Sequence, residues 1–305
     1  MNFPRVAIVV LNWNGRDDTL DCLASLSRLD YPAYEVVVVD NCSCDDSAII
    51  IHAAYPHVTL ITTGDNLGYV GGNNVGLEHA KAIGADYALL LNNDTEVAPN
   101  FLSLLVETAE ENPAVGIVGP MIYYFDHPDV IWSAGGGIDW GQGNTWMMGL
   151  NEEDQGQFGK KPRPVDFVTG CALLVKMSLV EHVGLLDPRF FAYYEETEWC
   201  VRTARAGFKI LHVPQAKIWH KISPAVREAS PQVHYYMTRN RLLFLKLAGA
   251  GTMAWLGTLF SCGRTLLSWT LKPRWRHKAA QRQAMVQAIV DYARGRFGKV
   301  EITES

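Results

Sequence analysis

Residues 88–97 read ALLLNNDTEV, and two kinds of structure meet inside this short stretch. Residues 88–91 are apolar and typical of a buried strand, and the polar residues 92–94 follow without a break. A carboxylate such as Asp94 just past a buried strand suits a divalent cation, which prefers oxygen ligands. The alternative is that Asp94 or Thr95 caps a helix beginning near Pro99. Taken alone, the stretch favours the cap.

The first half of the chain repeats this strand character between helical patterns. Strand-like and helix-like segments alternate in the order RVAIVVLNW, DDTLDCLASLSRL, YEVVVVDN, DDSAIIIHAAY, VTLITTG, NNVGLEHAKAIG and YALLLNND. Near-continuous apolar strands are typical of parallel sheets that are covered on both faces by helices. The sequence therefore predicts an α/β fold with a mainly parallel central sheet flanked by helices.

The second half of the sequence is less regular. AVGIVGPMIYY and VDFVTGCALLVK predict two further strands, and FFAYYEETEWCVRTARAG predicts a loop feeding a helix that ends at Gly207. Residues 132–165 are rich in glycine, tryptophan and polar residues, which predicts long loops.

Polar residues follow each of the four predicted parallel strands. They are residues 12–15, 40–41, 65–66 and 92–94. Because the carboxyl ends of parallel strands meet at one edge of the sheet, ligands bind there. The convergence of four polar strand ends makes Asp94 the best metal-ligand candidate in the chain.

Two further segments at this edge have the chemistry of a ligand site. GDNLGYVGGNNVG, residues 64–76, precedes a helix, and its glycines allow a ligand to approach the backbone closely. It contains no Gly-x-Gly-x-x-Gly fingerprint of dinucleotide binding. Asp40 is suited to accept hydrogen bonds from a ribose or a base, because Asp45 and Asp46 are better placed to cap the next helix.

Residues 193–199, YYEETEW, hold three carboxylates within four positions, beside aromatic side chains. Like charges this close raise one another's pKa, which prepares a general base. A solvated helix start also favours acidic residues, but the flanking aromatics argue against a fully solvated face. His220 follows another apolar run and is either structural or a third metal ligand. The presence of Asp94 favours the ligand.

Several of these stretches resemble family 2 glycosyltransferases, the inverting group with the GT-A nucleotide-diphospho-sugar transferase fold, and most of all their rhamnosyltransferase-like branch. The resemblance covers most of residues 5–225 and rests on VVLNWNG, VVVDNCSCDDS, NLGYVGGNNVG, LLLNNDTEV, GCALLVK, VGLLDPRFFAYYEETEWCVR and IWH. It implies an enzyme in which an acceptor hydroxyl attacks the anomeric carbon of a sugar. The nucleoside diphosphate then leaves, with inversion at that carbon.

The resemblance also implies which residues bind the donor. Asp40 and the backbone near Leu11 and Asn12 would hold the nucleoside. The other residues implied to line the donor pocket are Asn66, Gly71, Asn73, Asn92 and Asn93.

A metal site is implied at residues 92–94, which occupy the position of the family's Asp-x-Asp motif. Asp94 would bind a divalent cation, Mg²⁺ or Mn²⁺, on the diphosphate, and His220 would complete the site. Asn92 replaces the first carboxylate of the motif, so a lower metal affinity is expected.

The catalytic base implied by the resemblance is Glu196, which stands where the family usually has the Asp of a Glu-Asp pair. Glutamate is one methylene longer than aspartate, so the position of the base is expected to shift. Glu195 and Glu198 are therefore alternatives for the role.

Charge divides the chain into two parts. Residues 1–225 hold 14 Lys and Arg against 28 Asp and Glu, a net charge of −14, and residues 226–305 hold 13 against 4, a net charge of +9. We therefore predict a GT-A catalytic domain over 1–225 and a basic, partly apolar helical extension over 226–305. The acidic part argues against nucleic acid as a partner.

The extension contains LAGAGTMAWLGTLFSCG, residues 247–263, which carries no charge and is followed by the basic LKPRWRHK. A spanning helix needs about 20 apolar residues, so this shorter stretch with its four glycines favours a membrane-surface segment. The alternative is a helical hairpin packed on the catalytic domain. Contact with an anionic membrane would bring the enzyme to a lipid-linked acceptor on the cytoplasmic face.

The apolar run at residues 6–11 is too short for a signal peptide and predicts a first strand instead. We therefore expect a cytoplasmic enzyme, peripheral at the inner face of the bacterial cell membrane, whose six cysteines are free thiols. Its partners would be a nucleotide-diphospho-sugar donor and a saccharide or lipid-linked acceptor, in cell-surface polysaccharide synthesis. Two alternatives remain, a catalytically silent sugar-nucleotide-binding protein and a nucleotidyltransferase.

Overall fold

A computed structural model describes residues 3–222 and 230–300 of the chain. The strands are β1 Val6–Asn12, β2 Tyr34–Asp40, β3 Thr59–Thr62, β4 Tyr87–Asn92, β5 Thr95–Val97, β6 Val115–Tyr124, β7 Ile131–Ser133, β8 Gly136–Asp139, β9 Asn144–Met147, β10 Arg163–Pro164, β11 Ala172–Lys176 and β12 Lys209–His220. The helices are α1 Arg16–Leu26, α2 Ser47–Ala54, α3 Gly68–Ala82, α4 Phe101–Glu110, α5 Met177–Val183, α6 Glu195–Arg205, α7 Pro231–Leu247, α8 Thr252–Leu271 and α9 Ala279–Ala293, with a 3₁₀ helix at Pro273–Lys278.

The central sheet has the strand order β10-β12-β6-β11-β4-β1-β2-β3, with β5 paired to β12 and β7 to β6. Strands β3, β2, β1 and β4 are parallel neighbours, and so are β6 and β12. Strand β11 lies antiparallel between these two groups. The predicted α/β fold, with a mainly parallel sheet flanked by helices and a helical C-terminal part, is confirmed.

Both faces of the sheet are buried, which explains the near-continuous apolar strands. In β1, the side chains of Ala7 and Val9 belong to one core cluster, whereas Val6, Ile8 and Val10 belong to the other. Successive side chains of a strand point to opposite faces, so a strand covered on both sides needs apolar residues at every position.

Helix α3 lies unusually close to strand β1, and glycines make this possible. A Cβ atom on Gly76 would stand 2.1 Å from Val9 Cγ1, and one on Gly72 would stand 2.3 Å from Leu11 Cδ1. At least two glycines of the 64–76 segment therefore serve helix–sheet packing, which the sequence had not distinguished from ligand binding.

Two sequence-based interpretations are wrong. Residues Thr95–Val97 form strand β5 and α4 begins only at Phe101, so neither Asp94 nor Thr95 caps that helix. The region 132–165 is not only loop, since it contains the β8–β9 hairpin. Both strands are four residues long, and β8 begins with two glycines, of which Gly137 leaves room for the Trp146 ring. The hairpin therefore shows little apolar alternation.

The helices after residue 230 share the protein's core. Leu243, Phe244 and Leu245 of α7 belong to the same core cluster as β1 and α3, and α9 packs on α7 through Ala284 and Ala288. The predicted domain boundary at residue 225 lies outside the described residues. Within those residues, no helix combines the length and the apolar character needed to cross a bilayer. All six cysteines are free thiols.

The close approach of α3 to β1 can be tested with Gly76→Ala. We expect the added methyl to clash with Val9 and to lower the free energy of unfolding by about 1–3 kcal/mol, although alanine favours helix. The measurement is urea-induced unfolding, with Gly64→Ala as the control, because a Cβ at Gly64 meets no atom within 4 Å. Equal stability of the two variants would contradict the packing argument.

Candidate active site

Pairing between β5 and β12 brings Asp94 and His220 together. Residues 93 and 94 form the turn between β4 and β5, and Thr95 lies opposite His220 in the antiparallel β5–β12 pair. His220 Nε2 consequently lies 3.0 Å from Asp94 Oδ1. Burial alone would raise the pKa of the Asp94 carboxyl, but the adjacent imidazole lowers it below the ordinary value. The Asp94 carboxyl is therefore anionic and lies beside a buried imidazole.

Asn12 ties together the ends of three strands. Its buried Nδ2 donates to Asp40 Oδ1 at 2.7 Å, and its Oδ1 accepts from Thr19 Oγ1 at 2.9 Å. Asn93 Nδ2 in turn donates to Thr19 Oγ1 at 3.0 Å. The side chains of Asn12, Asp40 and Asn93 thus meet at the predicted edge, where they hydrogen-bond to one another, to the start of α1 and to Ser43 after β2. Their contribution to donor binding remains a prediction.

Asn41 fixes the 64–68 loop, a role that sequence reasoning missed. Its Nδ2 donates to Asn66 Oδ1 at 3.1 Å and to Gly68 O at 3.0 Å, and its Oδ1 accepts from Leu67 N at 3.0 Å. Its position directly after Asp40 at a strand end was the only local indication of this function. Asn66 is therefore held in place by Asn41.

The remaining predicted donor residues lie on or against α3. Asn73 is buried and donates to Tyr69 O at 2.9 Å within the helix, and Leu11 packs against Gly72. Gly71 stands against Leu67. Donor-binding roles for these residues remain predictions.

A cavity of about 1120 Å³ joins the metal candidates to the carboxylates of α6. Asn92, Asp94, Glu196 and His220 all line it, and Glu195 lines it as well. Its other walls include aromatic side chains, namely Tyr69, Trp132, Trp146, Phe167, Tyr193 and Tyr194. The other predicted site residues, Leu11, Asn12, Asp40, Asn66, Gly71, Asn73 and Asn93, are not part of this lining. A cavity of this size with convergent polar groups suits a substrate-sized ligand.

Glu195 and Glu196 begin α6 and are withdrawn from solvent. The Glu195 residue is only 4% exposed, and Oε2 of each carboxyl has no hydrogen-bond partner within the described residues. Burial raises the pKa of both carboxyls, and the charge of Glu196 raises the pKa of Glu195 further. Such a pair holds protons more tightly than ordinary carboxylates and can accept one from a bound hydroxyl.

Glu198 is engaged elsewhere. Its carboxylate pairs with Arg202, one helical turn further on, at 2.8 Å, and it does not line the cavity. The i, i+4 spacing of these two residues was visible in the sequence. Of the two alternatives to Glu196 as base, the geometry retains Glu195.

Asp94 and His220 offer two ligands to a cation. In the part of the chain that the structure describes, no group of three or more His, Cys, Asp or Glu side chains is arranged to hold a metal ion. Mg²⁺ and Mn²⁺ commonly take only one or two protein ligands and complete their shell with water and phosphate oxygens. One carboxylate and one imidazole therefore fit a cation that is shared with a diphosphate.

Comparison with known proteins decides the family. The family model described as glycosyl transferase family 2 matches residues 7–184, more than half of the chain. The chain belongs to glycosyl transferase family 2. The prediction of a nucleotide-sugar glycosyltransferase is confirmed, and the binding-protein and nucleotidyltransferase alternatives are not favoured.

Two curated relatives of this glycosyltransferase carry rhamnosyltransferase names. One is the N-acetylglucosaminyl-diphospho-decaprenol L-rhamnosyltransferase of Mycobacterium tuberculosis, 29% identical over 220 residues, which cover 65% of this chain and 70% of the relative. The other is the dTDP-rhamnosyl transferase RfbF of Shigella flexneri, 24% identical over 249 residues, which cover 78% of this chain and 79% of the relative. The rhamnosyltransferase-like branch is confirmed.

Solved structures confirm the GT-A fold. The crystal structure of GalNAc-T7 with UDP, GalNAc and Mn²⁺ superimposes with a TM-score of 0.63 at 17% identity. The match covers 80% of this glycosyltransferase and 48% of the GalNAc-T7 chain, so the chain spans about half the length of that protein.

The raised carboxyl pKa of Glu195 predicts a pH-dependent stability. A group whose folded pKa lies above its ordinary value of about 4.5 stabilises the fold fully only below that value, and the contribution is lost as pH rises through the folded pKa. We therefore expect Glu195→Gln to gain stability relative to the wild type as pH rises above about 4.5. Thermal unfolding from pH 4 to 8 measures this, and Glu152→Gln, at an exposed loop position, controls for net charge. A constant difference across that range would contradict it.

Proposed function

We propose that this glycosyltransferase moves a sugar, rhamnose first among the candidates, from a nucleotide-diphospho-sugar to a hydroxyl of a lipid-linked saccharide. One observation carries the proposal: the Asp94–His220 pair and the buried carboxyls of Glu195 and Glu196 line a single cavity. The names of the relatives support rhamnose as the sugar, and one of them names a diphospho-decaprenol acceptor.

Asp94 and His220 would hold a divalent cation on the donor diphosphate. When bound, such a cation offsets the negative charge that builds on the leaving nucleoside diphosphate. The imidazole of His220 favours Mn²⁺ over Mg²⁺, because Mg²⁺ prefers an all-oxygen shell. The Mn²⁺ in the GalNAc-T7 structure supports this choice. Asn92, which lines the same cavity, would contact the donor without adding charge.

The nucleoside would lie over the edge formed by β1 and β2. We assign its recognition to Asp40 and to the backbone at Leu11 and Asn12. The remaining donor contacts are assigned to Asn66, Gly71, Asn73 and Asn93. The hydrogen bonds that Asn12 and Asn41 make with the strand ends and the 64–68 loop support this assignment, because they leave the edge rigid.

Glu196 would act as the base. Its carboxylate takes the proton of the acceptor hydroxyl while the hydroxyl oxygen bonds to the anomeric carbon from one face. The bond from that carbon to the diphosphate oxygen breaks on the opposite face, which inverts the configuration. A carboxyl pKa raised by burial makes Glu196 a stronger proton acceptor than an exposed glutamate.

The base assignment can be tested by nucleoside diphosphate release from a panel of UDP-, GDP- and dTDP-sugars with Mn²⁺ or Mg²⁺. N-acetylglucosaminyl-diphospho-decaprenol serves as the acceptor. We expect dTDP-rhamnose with Mn²⁺ to give the highest rate of the wild type. We expect Glu196→Gln to lower kcat about 10²–10⁴-fold, because the base is lost. Glu198→Gln is the matched control, and we expect a much smaller loss. Equal losses in the two variants would remove the base role from Glu196.

We further propose that α8 lies on an anionic membrane surface. Ala254 and Thr258 are buried against the rest of the protein, whereas the other side of the helix exposes large apolar side chains. These are Met253, Leu256, Leu259, Phe260, Leu267 and Leu271. Basic residues follow in the 3₁₀ helix, namely Arg274, Arg276 and Lys278. An apolar helix face beside Lys and Arg is complementary to anionic lipid.

The same helix reaches the cavity wall. The ring of Trp269 contacts that of His234 edge-on, with centroids 5.3 Å apart, and His234 lines the cavity. A lipid-linked acceptor whose chain stays in the bilayer would thus present its sugar beside the cavity. This proximity supports a membrane surface as the working location, and we assign it to the inner face of the cell membrane.

Membrane binding can be measured by sedimentation with vesicles of phosphatidylglycerol or of phosphatidylcholine. We expect Leu256→Ser combined with Phe260→Ser to abolish binding to the anionic vesicles, because Phe260 is 72% exposed and central to the face. Ile49→Ser is the matched control, since Ile49 is 75% exposed on α2. Unchanged sedimentation of the double variant would mean that this face does not bind lipid.

A further inference from the structure

The chain leading into α6 is held in an unusual conformation. Phe191, Tyr193 and Tyr194 have φ angles of 67°, 69° and 72°, in the left-handed region that non-glycine residues rarely occupy. A non-glycine residue keeps such a conformation only where the surrounding structure enforces it. Glu195 and Glu196 follow immediately, so this strained loop sets where the two carboxyls stand.

Asn240 of α7 supports the loop. The residue is fully buried, and its Nδ2 donates to Phe190 O at 2.9 Å, Ala192 O at 2.7 Å and Tyr193 O at 2.9 Å. One amide nitrogen, which carries two N–H groups, thus lies within hydrogen-bond distance of three carbonyl oxygens of the loop, and two of these oxygens share one N–H. These are tertiary contacts across about fifty positions of sequence, and they hold the backbone in a conformation that it would otherwise rarely adopt.

Arg239 completes the support beneath the loop. Its fully buried guanidinium donates through Nη2 to Phe190 O at 3.0 Å and to Arg189 O at 3.2 Å, and through Nη1 to Gly298 O at 2.8 Å. Its Nε donates to Asn240 Oδ1 at 2.9 Å, which fixes the orientation of the amide. Moving a charge out of water costs free energy, so a buried guanidinium stabilises a core less than an apolar side chain of similar volume.

Arg241 binds the β8–β9 hairpin, which forms another part of the cavity wall. Its Nε donates to Gly143 O at 2.8 Å and its Nη2 to Gln142 O at 3.1 Å, at the turn of the β8–β9 hairpin. That hairpin carries Trp146, which lines the same cavity as Glu195 and Glu196. Three consecutive residues of α7 therefore bind both the loop before α6 and the hairpin.

We infer that residues 239–241 are positioning residues for the transfer reaction, setting the glutamate wall of the cavity against the hairpin wall. Arg239 and Asn240 act through the placement of Glu195 and Glu196, and Arg241 acts through the placement of the hairpin. The inference rests on the proposed role of Glu196 as base. It makes the first helix of the C-terminal extension part of the active site's framework.

The first test compares Asn240→Ala with Arg205→Ala in the full-length protein, using dTDP-rhamnose, Mn²⁺ and N-acetylglucosaminyl-diphospho-decaprenol, or the donor that the wild type uses best. Arg205 is the matched control, because it also bonds α6 to the end of α7, through Leu247 O and Ala248 O, but contacts neither wall. We expect Asn240→Ala to lower kcat about 10–100-fold with KM for the donor nearly unchanged. Arg205→Ala should keep the wild-type kcat. Equal losses in both variants would overturn the inference.

The second test separates positioning from general loss of structure. Asn240→Ala and the milder Asn240→Ser are combined with Glu196→Gln. If Asn240 acts through the glutamate, its effect on kcat should shrink to less than about 3-fold once the carboxylate is gone. Multiplicative losses would overturn the inference. Wild-type activity of Glu196→Gln alone would instead overturn the proposed base, so the two failures are distinguishable.

Arg241→Ala tests the hairpin half of the inference. We expect it to raise KM for the acceptor more than it lowers kcat, because the aromatic wall loosens while the glutamates stay in place. An effect confined to kcat would overturn the assignment of Arg241 to the hairpin wall.

Discussion

The in-register parallel pairing of β1 with β2 and β4 is the constraint on which the site depends. It sets Asn12 opposite Asp40 and Leu11 opposite Asn92, so that the polar ends of three strands arrive at one level. A buried amide at Asn12 can then bond to its neighbours, and the turn after β4 delivers Asp94 to the end of β12. Because both faces of these strands are buried, a slipped register would draw their polar ends into the apolar core.

The other half of the site is made in a different way. Glu195 and Glu196 directly follow a strained loop, are withdrawn from water and lack full hydrogen bonding, all of which opposes folding. The support comes from α7, whose Leu243, Phe244 and Leu245 are buried in the main core. Helix α7 thus connects the stable core to the destabilised carboxylate wall. The contacts that stabilise the fold are therefore also the contacts that would position the two carboxyls.

The sequence was informative where chemistry follows local pattern. Continuous apolar runs indicated the parallel strands. Polar strand ends singled out Asp94, which lines the cavity and whose role as a metal ligand stays a prediction. It was uninformative where a side chain acts over distance. Nothing near Asn240 in the sequence indicates that its amide meets carbonyl oxygens about fifty residues away. The β8–β9 hairpin was missed for another reason, because it is too short and too rich in glycine to show the apolar–polar alternation of a strand. The pairing of Glu198 with Arg202 is a local contact that the sequence does indicate, because the two residues stand one helical turn apart.

The two-sided character of α8 has a consequence for orientation. The helix turns Ala254 and Thr258 toward the protein and its large apolar residues outward, so only one rotation of the whole molecule sets that face on a bilayer. On the proposed anionic membrane, the acidic first 225 residues would be repelled by the lipid that attracts the basic end of the chain. Such a protein would adopt one defined orientation at an anionic surface. A water-soluble donor and a lipid-bound acceptor would then enter the site from opposite directions.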